Sequence, residues 1–513
     1  MRILICTNVY PPRFVGGAEL VAHELARQML AQGHEVAAFV GDLNGPGEHL
    51  AIWQETRDGV QVHRINTMQQ DYDPQHLNFL HPAVDQHFSA VLREFRPDVV
   101  HCHNLMGLSV RLPILAAEFG ARVFVTLHDF WGFCLNNTLL RPDGRTCKDY
   151  DACRVCLPAG NDTAGARMPL RLRKGLFSLA FDHVDKFIAP SPFIARQYQK
   201  AGLDDGRIAV ISNGMDLQRF APRERPDRPF PPVRLLYVGY LGTHKGVDIL
   251  LQALALLADT DIDLEIIGTG SQEQTYRDKA DQLGLTERII WRGRQAPSDM
   301  PQNYARADVV VLPSIWEENQ PVCLMEAMAS GLPIVASRIG GIPDMINDGQ
   351  EGLLCDPGDP YALSRALRVL IDDPDLRSAM GAKGRRRLQD MSYAGQASRL
   401  LRLFTDAAQA PVLRGPAQNL ISLLGDYDGK MQKSDRERLD AAGAIQGYVI
   451  PHSWLTDRLI EKVDGFYLLD NGNWMVRIFR FICRVPLVVR RQCGRGWRRY
   501  LTKILISNWP KRG

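Results

Sequence analysis

No stretch of the 513-residue chain approaches the roughly 18 uninterrupted apolar residues that a membrane-spanning helix requires, so no such span is expected. The opening MRILICTNVYPP holds one basic residue and an apolar run too short for a secretory leader, and it reads as the first strand of a cytoplasmic protein. Ten cysteines are too few for a disulfide scaffold of this length, and in a cytoplasmic chain they read as thiols or metal ligands. No G-x-G-x-x-G follows the first strand, which argues against a dinucleotide-dependent oxidoreductase. Acidic residues are missing from 471–513, where 11 Lys and Arg fall, so the near-neutral total of +3 conceals a mildly acidic body and a basic tail.

A chain of this length exceeds what one core serves, and two or three domains are expected. Short apolar runs at Arg2–Thr7, Glu35–Val40, Val60–Ile65, Asp98–His101, Arg122–Leu127, Lys186–Pro190 and Ile208–Ser212 have helical patterns between several of them, Ala18–Gln32 being the first. The same rhythm returns at Val233–Val238, Leu264–Ile267, Arg288–Trp291, Val309–Leu312 and Ile334–Ala336. Such alternation predicts α/β architecture, with two doubly wound, mostly parallel sheets that bind ligands beyond the carboxyl ends of their strands. Between the two series, Pro222 to Pro232 contains five prolines and cannot continue a helix or a central strand. Domains are therefore expected at 1–214, with a Cys-rich insertion at 134–156, and at 233–408, joined by 215–232 and followed by an extension at 409–513.

The most informative stretch runs from Asp308 to Ser337. Val309–Leu312 reads as a buried parallel strand, Pro313 to Gln320 as a polar turn, and Pro321 to Ser330 as a helix stopped by Gly331 and Pro333. Glu318 lies in the turn and Glu326 inside the helix, with seven residues between them. A helix mouth at the end of a parallel strand offers free N–H groups and partial positive charge to a diphosphate. The two carboxylates would then flank it, one toward a sugar and one toward a ribose. Upstream, Gly239 to Gly246 is a glycine-rich strand-to-helix turn around Lys245, suited to a diphosphate although it lacks P-loop spacing. Gly16 and Gly17, after the first strand, form a weaker candidate of the same kind.

This pattern resembles the E-x7-E signature of retaining glycosyltransferases of family 4, in the variant Glu318-Asn319-Gln320-Pro321, continuing through Glu326-Ala327-Met328-Ala329-Ser330-Gly331-Leu332-Pro333. The turn at Lys245 is similar to that family's G-R-L-x3-K-G element, with Tyr240 where an arginine is usual. The likeness covers most of Met1 to about Ala408. It implies the GT-B fold, two Rossmann-like domains across a cleft, and transfer of a sugar from a nucleotide diphosphate sugar to an acceptor hydroxyl with retention. It also implies residue roles: Glu318 orients the sugar, Glu326 grips the ribose, and Lys245 steadies the leaving diphosphate. Gly16, Gly17, Asn319, Gln320, Pro321 and Val322 complete the donor side. His128, in Thr126-Leu127-His128-Asp129, reaches the sugar from the opposite domain, with Asp129 as a candidate to fix its tautomer. His101 and His103 end another strand and read as structural.

No cofactor is required for that chemistry. Cys134, Cys147, Cys153 and Cys156 have spacing compatible with a structural zinc ion, which would order a loop lacking its own core. The basic tail, interleaved with Trp474, Ile478, Phe479, Trp497 and Tyr500, suits an anionic membrane surface, and packing onto the acidic body is its alternative. No nucleic-acid motif is present. The expected partners are a nucleotide diphosphate sugar and a glycan or lipid-linked acceptor, in cell-surface polysaccharide or glycolipid assembly. An epimerase or phosphorylase of the same fold, or a silent scaffold recruiting partners through the tail, are the rival readings.

Overall fold

The structure, a computed structural model, describes residues 1–13, 16–72, 81–134, 136–148, 150, 156, 177–178, 180–222 and 232–409, with the backbone of 448–449 and 468–469. Two parallel sheets organise the described chain. The first holds β1 (Arg2–Thr7), β2 (Glu35–Leu43), β3 (Ile52–Arg57), β4 (Val60–Thr67), β5 (Val99–Cys102), β6 (Arg122–Thr126), β7 (Lys186–Ala189) and β8 (Ile208–Val210), in the order β3-β4-β2-β1-β5-β6-β7-β8. Every neighbouring pair is parallel except β3 with β4. The second holds β9 (Val233–Val238), β10 (Ile262–Ile267), β11 (Ile289–Gly293), β12 (Val309–Leu312), β13 (Ile334–Ser337) and β14 (Gly352–Cys355), all parallel, in the order β11-β10-β9-β12-β13-β14. This is the GT-B architecture of two Rossmann-like domains.

The apolar runs are buried along their length because helices cover both faces of each sheet: β12 and β13 have no exposed residue. In the second sheet the strand order turns back between β9 and β12, so a crevice opens beyond their carboxyl ends. The turn carrying Lys245 follows β9 and the turn carrying Glu318 follows β12, which places the two most suggestive sequence elements on either side of one crevice.

The chain also crosses back. Helix Tyr393–Gln409 buries Ala397, Leu400 and Phe404 in a core shared with Ile3, Ile5 and Val36 of the first sheet, and its Phe404 ring lies 4.3 Å from Phe124. Met215 and Phe220, ahead of the proline-rich stretch, pack into the core of the second domain. The first domain is thus closed by a helix from the far side of the linker, and the core of the second takes in residues from the start of the linker itself.

Candidate active site

Helix Val322–Ala329 begins one residue later than expected, with Pro321 as its cap at φ −62°. Leu324 N and Met325 N turn back onto the Pro321 carbonyl, which leaves the Val322 and Cys323 N–H groups outside the helix's own ladder. Just before it, Glu318 is buried, and its Oε1 accepts from Lys245 Nζ at 2.8 Å and from Ser314 Oγ at 2.7 Å. Burial would push this carboxyl up, but the Lys245 charge and the hydrogen bonds from Lys245 and Ser314 outweigh it and hold it below its usual range. Lys245 Nζ also stands 4.7 Å from the centre of the Trp316 ring. The turn can lie this low because Gly340 and Gly341 run beneath it. A Cβ on Gly341 would come within 2.0 Å of the Asn319 carbonyl, and Gly341 N donates to the Glu318 carbonyl at 2.6 Å.

Glu326 is held differently. The Tyr304 hydroxyl donates to its Oε2 at 2.8 Å, with the Cys323 carbonyl also 3.2 Å away. Burial pushes this carboxyl up to about 7, against the pull of the Tyr304 hydroxyl and the Arg219 charge. The two glutamates therefore keep separate company, Glu318 with Lys245 and Ser314, and Glu326 with Tyr304. That fits two acids gripping different ends of one ligand.

Asn319 and Gln320 face the first domain. Asn319 Nδ2 donates to the carbonyls of His128 at 2.9 Å and Leu127 at 3.2 Å, and its Oδ1 accepts from Ser191 Oγ at 2.6 Å. Gln320 Oε1 accepts from Asn213 N at 2.9 Å. Nearby, Asp344 takes the Phe193 N–H at 2.7 Å. The Gly16–Gly17 turn comes from the other side: a Cβ on Gly17 would lie 2.5 Å from Val322 Cγ2. The residue types proposed from sequence for the donor side thus gather where the domains meet, with His128 one carbonyl away from the Glu318 turn.

Burial lowers His128 to about 4, so its imidazole is neutral across the physiological range. Its ring partner is His103, whose Nδ1 lies 2.8 Å from His128 Nε2, not Asp129. The Asp129 carboxylate instead accepts from Asn104 Nδ2, Asn137 Nδ2 and Trp131 N. Sequence reasoning also missed Ser314, Trp316, Tyr304 and Ser191. Of these only Ser314 and Trp316, four and two residues before Glu318 in the same turn, carried a local signal. Tyr240 is half exposed and stands where the resemblance expects a cation. Its ring lies over His244 at 6.1 Å and 24°, and its hydroxyl accepts from Ser271 N at 3.2 Å. Of the four cysteines, Cys134 is buried in the first domain's core and Cys147 packs against that core, while Cys153 lies outside the described residues, as does the basic tail. Among the described residues no group of three or more His, Cys, Asp or Glu side chains could hold a metal ion.

Two family models match end to end: Glycosyltransferase Family 4 over residues 15–219 and Glycosyl transferases group 1 over residues 220–387. The chain is similar to the D-inositol 3-phosphate glycosyltransferase of Corynebacterium glutamicum (strain R), 35% identical over 221 residues, which are 40% of this chain and 53% of that protein. It spans about half the length of such relatives. It is also similar to the glycogen synthase of Mycobacterium tuberculosis (strain ATCC 25618 / H37Rv), 28% identical over 76% of this chain and 90% of that protein. Among solved structures, the sucrose-phosphate synthase from Thermosynechococcus elongatus aligns with a TM-score of 0.61 at 20% identity, covering 79% of this chain and 98% of that one. That likeness shows a shared fold.

Proposed function

The chain is a GT-B-fold glycosyltransferase related to family 4, and from this we propose that it moves a sugar from a nucleotide diphosphate sugar to an acceptor hydroxyl with retention of anomeric configuration. The observation that carries the reading is the Lys245–Glu318 pair, 2.8 Å apart at the mouth of helix Val322–Ala329, in the crevice between β9 and β12. In this reading the diphosphate sits on the Val322 and Cys323 N–H groups beside Lys245. The fixed donors and the lysine charge stabilise the negative charge that grows as the sugar departs. Glu318, kept ionised, accepts from sugar hydroxyls, and Glu326 accepts from the ribose. Neutral His128 bonds the sugar without adding positive charge beside an oxocarbenium-like centre. No protein nucleophile is assigned. Asn319 couples the halves, since the residue beside the sugar-gripping Glu318 also holds the backbone of His128.

The acceptor in this reading is a glycan or a lipid-linked acceptor at the cytoplasmic face of a membrane. Support comes from the composition of 471–513, whose basic residues interleaved with aromatics suit an anionic membrane surface. The test is acceptor-dependent release of nucleoside diphosphate from UDP-, ADP- and GDP-linked sugars, ranked first by thermal shift. One donor should turn over, Glu318→Gln should slow it by about a hundredfold or more, and an α-linked donor should give an α-linked product. An inverted product would overturn the retaining mechanism, and binding without turnover, unchanged by Glu318→Gln, would overturn the enzyme reading. Deleting 471–513 should release the protein from anionic vesicles, and undiminished vesicle binding would remove the membrane role.

A further inference from the structure

His128 and His103 share one hydrogen. Their rings are centred 5.1 Å apart with planes 18° apart, and the Nδ1 of His103 lies 2.8 Å from the Nε2 of His128. Those values together describe two nearly coplanar imidazoles joined through an in-plane N–H···N bond. Burial keeps both rings neutral, so only one of the two facing nitrogens carries a proton. Whichever ring donates decides what His128 can offer a ligand.

The rest of His103 settles the direction. The residue is 3% exposed, and its other nitrogen, Nε2, is buried with no hydrogen-bond partner among the described residues. An orphaned N–H is among the rarest features of a folded interior, whereas an under-used acceptor is better tolerated. The proton of His103 therefore belongs on Nδ1, where it has an acceptor. The pair is held from behind: His101 Nε2 lies 2.7 Å from Thr126 Oγ1, and the His101 ring packs 4.3 Å from that of His103.

We propose that His103 is a positioning residue that donates from Nδ1 to His128 Nε2, fixes His128 as its Nδ1–H tautomer, and so makes the imidazole a neutral hydrogen-bond donor to a hydroxyl oxygen of the transferred sugar. Among the described residues the only side-chain hydrogen bond of His128 is made by Nε2, which leaves Nδ1 for a ligand, and a neutral donor matches an oxygen lone pair. The sugar as ligand rests on the transferase reading above, but the tautomer does not.

The first measurement is long-range nitrogen–proton NMR on the full chain labelled with 15N-histidine, the His128 signals being those lost in His128→Gln. A pyrrole-type Nδ1 and a pyridine-type Nε2 are expected, and the reverse pattern overturns the proposal. His103→Leu, which removes the donor, should scramble the tautomer and lower kcat by about tenfold with donor KM little changed, the loss of one well-made hydrogen bond. His103→Asn keeps a carboxamide donor near the position of Nδ1 and should restore most of both, while His103→Gln, whose amide sits further out, should not. A His103→Leu protein with wild-type tautomer and kcat, or equal losses in the Leu, Asn and Gln variants, overturns the positioning role. The wild-type spectrum decides the tautomer even if a variant fails to fold, and it needs no donor, so it stands or falls apart from any failure to find a nucleotide sugar.

Discussion

Replacing Lys245 with methionine should produce two losses of different kind. The substitution keeps the stem's bulk but removes the cation 2.8 Å from the Glu318 carboxylate, in a pair whose side chains are only 17% and 6% exposed. Removing one partner from a buried pair costs about 3–5 kcal/mol, and the partial exposure of Lys245 points to the lower end, about 3 kcal/mol. Ser314 still donates to Glu318, but the charge that held its carboxyl down is gone, so burial raises it. The folded variant then binds a proton at Glu318 more readily than the unfolded chain does, and its deficit should shrink on acidification from pH 8 toward pH 5. Turnover should fall separately, by about 10²–10³ in kcat, because the leaving diphosphate loses its side-chain cation. Adding Glu318→Gln should return much of the lost stability and none of the turnover. Urea melts at two pH values and single-turnover kinetics read both effects. A Lys245→Met protein that melts with wild type, or a double variant that regains turnover, would show that Lys245 lacks the stabilising role or the catalytic one.

Three further outcomes follow from the same geometry. Because burial raises Glu326 to about 7 and ribose hydroxyls need its ionised form, nucleoside diphosphate affinity should fall below pH 7 by up to about tenfold per unit, and Glu326→Gln should lose that part of the pH dependence; calorimetry across pH 6–8 checks this. Asn319→Ala removes three hydrogen bonds between the domains, worth about 2–3 kcal/mol together, and should enlarge the radius of gyration in small-angle scattering and lower kcat; an unchanged profile would deny Asn319 its coupling role. Gly17→Val should wedge the Gly16–Gly17 turn away from Val322 and cut turnover with little change in melting temperature, whereas wild-type turnover would show that this approach is dispensable.

The strands that frame the crevice were the most legible part of the chain. β1, β9 and β12 have the boundaries that their apolar runs suggest, because a strand buried on both faces leaves a continuous signature. β3 was not foreseen: it is an edge strand with Glu55 and Arg57 in it and a half-exposed Ile52, so its place comes from antiparallel pairing with β4 rather than from burial. Helix Tyr393–Gln409 has a clear apolar face, yet nothing in that face says which sheet it covers. The same limit applies within the site. Lys245, Glu318 and Glu326 stood out through their turn and helix context, but Tyr304 meets Glu326 only through tertiary packing. His103 read as structural because its partner lies 25 residues away, just beyond the end of the neighbouring strand β6, and the β5–β6 register that brings them together is not written in either segment.

The turnover and affinity outcomes depend on a pyrophosphate docking at the mouth of helix Val322–Ala329 between two acids with different tasks. A crystal structure with the bound nucleotide diphosphate sugar tests it most directly. The pyrophosphate should lie on the Val322 and Cys323 N–H groups and Lys245, the ribose on Glu326, and the sugar between Glu318 and His128. A pyrophosphate bound elsewhere, or both glutamates turned away from the ligand, would contradict it.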